Sequence, residues 1–166
     1  TTVAADTIKL GNGADVKGVD SGAGAGGAFT ANTLELASGA SATMTAAQNN
    51  SFTSATAAGT ETIAISDAND ATGLATIETY TLAAGTQTFT LGATGQNVTA
   101  DSTGAGGAIT IDTSTLTSVT GTFDDNSGND TIALTLSRDG VNISTANTTD
   151  VDTIALANNI GATMTR

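Results

Sequence analysis

Asp130-Thr131-Ile132-Ala133-Leu134 is the stretch on which the fold turns. Three more segments share its pattern: Asp6-Thr7-Ile8-Lys9-Leu10, Glu61-Thr62-Ile63-Ala64-Ile65 and Asp152-Thr153-Ile154-Ala155-Leu156. Each reads acid, Thr, Ile, any residue, aliphatic. The two aliphatic residues are two apart, so both fall on one face of a β-strand. Thr is β-branched and suits the same backbone. The acid stands at the strand entrance, on or beside a turn.

Longer echoes accompany the motif. Leu36-Ala37-Ser38 with Ala42-Thr43-Met44-Thr45 matches Leu156-Ala157-Asn158 with Ala162-Thr163-Met164-Thr165, an offset of 120. Gly24-Ala25-Gly26-Gly27-Ala28-Phe29-Thr30 matches Gly104-Ala105-Gly106-Gly107-Ala108-Ile109-Thr110, an offset of 80. Both are multiples of about 20 residues, the length of a solenoid coil. The acid-Thr-Ile copies themselves follow one another at 55, 69 and 22 residues, so the period is irregular. The expected fold is all-β: a β-solenoid or stacked β layers of short strands, with an Ig-like antiparallel β-sandwich as the alternative.

Strands are expected near 6–10, 28–36, 60–66, 76–82, 86–91, 108–112, 116–123, 130–136, 141–144 and 152–156. Turns are expected at Gly11-Asn12-Gly13, Ser66 to Asp70, Gly92 to Gly95 and Asp124 to Gly128, where Gly, Asn and Asp supply the geometry. Leu134 to Ser137 and Val141 to Ser144 flank Arg138-Asp139-Gly140, a hairpin signature. A hairpin argues against a strictly parallel solenoid, whose strands need crossovers. A short helix is expected around Ala46-Ala47-Gln48.

Composition narrows the function. The 166 residues hold 16 acidic groups and 4 basic ones, a net charge of −12. Such a chain cannot replace counterions along a nucleic-acid backbone, and it gains nothing at an anionic membrane. It suits hard cations such as calcium. No Cys and no His are present, which removes thiolate nucleophiles, imidazole bases and the usual zinc ligands. Sugar subsites usually want aromatic platforms, and only Tyr80 and four Phe exist. The chain is therefore expected not to be an enzyme. No apolar run approaches the ~20 residues of a membrane span. Residues 1–166 read as a single all-β repeat region, a fragment or one subunit of a larger surface assembly.

Two stretches carry a family resemblance. Ser127-Gly128-Asn129-Asp130-Thr131-Ile132 resembles the Gly-Asn-Asp-Thr-Leu core of the calcium-binding RTX nonapeptide. Thr43 to Gln48, followed by Ala58 to Ile63, is similar to segments of giant Thr/Ala/Gly-rich bacterial surface proteins, among them S-layer proteins and large type I-secreted adhesins. The resemblance implies secretion in unfolded form, calcium-assisted folding outside the cell and a structural or adhesive role. RTX β-rolls carry tandem Gly-Gly-x-Gly-x-Asp turns. This chain has one degenerate copy with Ser at 127, so calcium is expected at a few loops rather than throughout the core.

The leading metal candidate is the loop with Asp124, Asp125, Asn126, Asn129 and Asp130. Calcium takes 6–8 oxygens from carboxylates, Asn carbonyls and backbone carbonyls, and Gly128 permits the bend. The same residues also make an ordinary Asn/Asp turn that needs no metal. A smaller cluster holds Asp67, Asn69 and Asp70; Asp150 and Asp152 are weaker. Alternating Thr in Thr86 to Leu91 and Thr113 to Thr117 would line one sheet face, an arrangement that could order water as ice-binding solenoids do or simply fill exposed strand positions. The functional expectation is an extracellular bacterial surface-layer, filament or adhesin component that self-associates and is stabilised by calcium. The alternative is an adhesive module recognising cell-surface glycans or ice.

Overall fold

The computed structural model describes residues 6–19, 27–30, 32–101, 106–114, 116–126 and 130–165. The chain winds as a nearly all-β solenoid of about 6 turns, with 3% helix. It opens with β1 (Thr7–Leu10) and β2 (Ala14–Asp15), followed by β3 (Thr33–Leu36), β4 (Ser41–Met44) and helix α1 (Ala46–Asn50). Next come β5 (Ser54–Thr56), β6 (Thr62–Ile65), β7 (Ala71–Thr72), β8 (Thr79–Leu82) and β9 (Gln87–Thr90). Then follow β10 (Asn97–Ala100), β11 (Ala108–Asp112), β12 (Phe123–Asp124) and β13 (Thr131–Leu136). The described chain finishes with β14 (Val141–Asn142), β15 (Thr153–Leu156) and β16 (Ala162–Thr163).

These strands stack on three faces. The first face carries β1-β3-β5 at one end and β14-β16 at the other. Between them it is continued by single bonds, from Thr76 to the Ala55 carbonyl, between Thr94 and Ser118, and by the Ser118–Asn142 bridge. The second face runs β2-β4-β6-β8-β10-β12 and the third β7-β9-β11-β13-β15. Every strand pair is parallel, for example Leu134 against Ile154 and Leu136 against Leu156.

Along each interior strand, residues alternate between buried and part-exposed, as Thr131–Leu136 shows. The inward set includes Leu34, Met44, Ile63, Tyr80, Phe89, Ile111, Phe123 and Leu134. Tyr80 and Phe89 meet inside with ring centroids 4.7 Å apart. Three thin faces closing on one another need few bulky side chains, which explains the low aromatic content.

The coil length varies because corners absorb it. Thr62 stacks on Thr79, a step of 17 residues, whereas Ala14 stacks on Ala42, a step of 28. The four acid-Thr-Ile copies consequently lie on different faces: β1 on the first, β6 on the second, β13 and β15 on the third. Their uneven spacing in sequence is the sum of unequal corners.

The expected hairpin is not formed. β13 and β14 do not pair; β13 lies between β11 and β15, and β14 pairs with β16. Gly140, at φ +73°, turns the chain sideways onto the next face. With all pairs parallel, the sandwich alternative falls as well. The expected strand over 116–123 is reduced to the bridging Ser118 and Thr122 and to β12, and only 33–36 of the stretch 28–36 is strand. Strands β2, β4, β5, β7, β10, β12 and β16 lack a strong aliphatic alternation and escape sequence reading.

The short helix is found where expected. Thr45 and Gln48 form a reciprocal capping box. The helix takes the place of a third-face strand, beside β7. Asn49 donates to the Thr72 carbonyl, Asn50 donates to the Asp70 carbonyl, and the Asn50 side chain accepts the Thr72 N–H. Two amides thus satisfy the edge of β7, which would otherwise offer unpaired backbone to another chain.

Candidate functional site

The acids that lead the strand motifs have a structural duty. The Glu61 carboxylate is buried and accepts the Gly39 N–H at 3.0 Å. Asp130 accepts the Gly107 N–H, and Asp152 accepts the Ile132 N–H at 2.9 Å. Each acid reaches back to the preceding coil, at the point where the strand ladder begins. A charge-assisted bond to a backbone N–H is a strong one, so these residues clamp coil to coil.

The same use accounts for the smaller proposed metal cluster. Asp67 accepts the Ala46 N–H at 2.7 Å through one oxygen and the Asn69 amide at 2.6 Å through the other. Asp70 accepts the Thr88 N–H at 2.7 Å. Their oxygens are engaged in holding the corners of neighbouring coils.

The leading loop is divided. Asp130 turns into the stack, while Asn129 and Gly128 lie outside the described residues. Asp124 accepts the Asn126 N–H at 2.7 Å in an Asx turn, with Asn126 itself at φ +56°. Asp124 and Asp125 are brought together with Asp150 from the following coil, their carboxylate oxygens within 4.8 Å of one another. Three clustered anions repel, and a divalent cation placed among them would offset that cost. The set supplies hard oxygen ligands of the kind calcium takes, though three fall short of its usual 6–8. The signal for Asp150 was in the sequence: it follows Asp125 by 25 residues, the same step that stacks Val98 on Phe123. The irregular period concealed it.

The outward surfaces of the second and third faces are ladders of small polar groups. On the second, Asp15, Thr43, Ala64, Thr81, Thr99 and Asp124 form one column. Ser41, Thr62, Thr79 and Asn97 form another. On the third, Thr88, Thr110, Ala133 and Thr153 stack in register. Neighbours along a column are about 4.8 Å apart, and the two columns of one face about 6.7 Å. Of the expected arrays, Thr88 and Thr90 take their places, with Phe89 in the core between them. The array at Thr113 to Thr117 does not form: Thr113 is buried at a corner and Ser114 adopts φ +48°; Thr115 lies outside the described residues.

An open groove of about 500 Å³ crosses the first face beside β5, lined by Asn50, Phe52, Ser54, Thr72, Leu74 and Thr76 among others. It holds no charged group. No helix among the described residues is long and apolar enough to cross a membrane. No known protein family matches the chain, and neither does any curated protein or solved structure.

Proposed function

We propose that this chain is a structural component of an extracellular bacterial surface layer, filament or giant adhesin, and that it works by self-association rather than catalysis. One observation carries the reading: a stack of parallel coils whose terminal strands, β1 and β2 at one end and β15 and β16 at the other, keep unpaired edges among the described residues. Such edges template further strands, and repeat stacks gain stability from each neighbour added. The acidic, hydroxyl-rich exterior suits a solvated scaffold. The bacterial and extracellular parts rest on the resemblance to RTX and S-layer sequences.

Calcium enters through Asp124, Asp125 and Asp150. Binding there joins two successive coils and stabilises the stack by mass action. Electron microscopy of the purified chain, with calcium and with chelator, tests the reading. Ordered filaments or sheets are expected, more abundant with calcium. Dispersed single copies in both conditions would sink the scaffold, and identical melting curves in both would sink the calcium claim.

The threonine columns favour a second reading, an adhesive module that binds ice or glycans. Flat, regular hydroxyls with little charge can order water across a face. Inhibition of ice recrystallisation, lost on Thr81→Lys and Thr99→Lys, would support it; a glycan array would report the sugar alternative.

A further inference from the structure

We infer that the two ends of the solenoid are mated surfaces, and that a second copy of this chain docks head to tail, its β1 adding in parallel to the free edge of β15. The inference deepens the self-association reading and rests on it.

The two terminal edges carry the same motif. Asp6-Thr7-Ile8-Lys9-Leu10 supplies β1, and Asp152-Thr153-Ile154-Ala155-Leu156 supplies β15. Within the chain, motif already stacks on motif: β13 and β15 pair in parallel, Ile154 meets Leu134, Leu156 meets Leu136, and the Asp152 carboxylate takes the Ile132 N–H. β4 is likewise covered by a motif strand, β6, which sets Ile65 on Met44. The geometry proposed between copies is therefore one this sequence already uses. Asp6 would do for the next copy what Glu61, Asp130 and Asp152 do inside this one, capping a free backbone N–H of the coil before it.

The last coil is built as an interior coil. Its Leu156-to-Thr165 stretch repeats Leu36 to Thr45, and both turn through a left-handed residue, Gly39 at φ +70° and Asn159 at φ +61°. Leu36 and Met44 are 4% and 0% exposed under their neighbours, whereas Leu156 and Met164 are 46% and 53% exposed. The side chains that a covering coil would bury are in place and uncovered.

Charge selects which end approaches. In residues 6–19, Asp6 and Asp15 balance Lys9 and Lys17, so the remaining sequence carries the whole −12. A neutral end meeting an acidic one avoids the repulsion that two acidic ends would suffer. On the third face the opposite edge, at β7, is closed by α1, which leaves β1 and β2 as the incoming strands. The contact joins two different surfaces and does not close on itself, so it propagates as a filament.

Sedimentation velocity on the 166-residue chain tests this with three variants. Leu156→Lys with Met164→Lys alters the exposed end and is expected to remain a single copy with an unchanged thermal melt. Asp6→Lys with Ile8→Lys alters the other end and is also expected to stay single. Mixing the two variants leaves one intact pair of ends, so the mixture is expected to stop at dimers while the wild type grows with concentration. Because Ile8 packs partly on the core, Asp6→Lys alone serves as the milder form of that variant. Assembly of the Leu156/Met164 variant like wild type would overturn end docking while leaving self-association through another surface. Dimers of the Asp6/Ile8 variant by itself would indicate tail-to-tail pairing and overturn the head-to-tail arrangement. A wild type that stays single at its highest soluble concentration would overturn both readings.

Discussion

The coil built from β3 and β4 and the coil built from β15 and β16 hold nearly the same sequence in different surroundings. Both run strand, left-handed turn, strand. In the first, Leu36 and Met44 lie in the core; in the second, Leu156 and Met164 face solvent. Local sequence sets the path of the chain, and the neighbouring coil decides whether the aliphatic side chains become core.

The largest expected consequence is in stability. Leu36→Ala or Met44→Ala should cost about 2–5 kcal/mol, the range for buried truncations. Leu156→Ala or Met164→Ala should stay within about 0.5 kcal/mol in the single copy, as surface changes do. Urea denaturation at low protein concentration measures both. Equal costs would break the comparison, because the terminal side chains would then be covered.

Tyr80 sharpens the same contrast from inside the stack. Its phenol oxygen accepts the Leu74 N–H at 2.7 Å. Burial pushes its proton affinity well above the ordinary tyrosine value, against the opposing pull of that bond. Tyr80→Phe leaves a buried N–H unpaired and should cost about 1–3 kcal/mol. The folded state holds the proton more tightly than the unfolded one, so this group's stabilisation is complete below about pH 10 and falls as pH rises further. Stability measured across pH 9–12 should decline in wild type and decline less in Tyr80→Phe; parallel profiles would show that the phenol does not ionise on unfolding.

Glu61 and Asp152 make the same clamp at an interior and a terminal coil. Glu61→Ala strips a buried N–H of its acceptor and should cost about 1–3 kcal/mol. Asp152→Ala should cost less, because water can reach the exposed terminal coil; thermal melts of the two variants rank them, and a reversed order would remove the clamp argument.

The smallest effect concerns the shared turn. Gly39→Ala places a Cβ in a left-handed conformation and should cost about 1–2 kcal/mol. Asn159→Gly relieves the same conformation and should leave stability within about 0.5 kcal/mol of wild type. A neutral Gly39→Ala would mean that the interior turn can relax to another path.

Much of the fold was legible because the strongest strands advertise themselves. Ile132 with Leu134, Ile63 with Ile65 and Ile109 with Ile111 put aliphatics at period 2, and each is a strand. Ala14–Asp15 and Ala71–Thr72 are strands only because a neighbour offers them a ladder, and nothing in their residue types announces it. The Arg138-Asp139-Gly140 turn has hairpin chemistry yet serves as a corner, since turn residues fix local dihedrals and not the strand that follows. The metal candidates fared the same way. Asp124 and Asp125 stayed at the surface, but Asp130, Asp67 and Asp70 became acceptors for backbone N–H groups.

Sequence alone determined that the chain would be all-β, poor in bulky filling, acidic outside, and punctuated by Gly, Asn and Asp. Those properties follow from side-chain chemistry and period, which act over a few residues. The tertiary structure decided the register, the face each motif occupies, the partner of each acid and the meeting of Asp150 with Asp124 and Asp125. Those depend on how many residues each corner consumes before one coil settles on the last, and the corner lengths have meaning only once the stack exists.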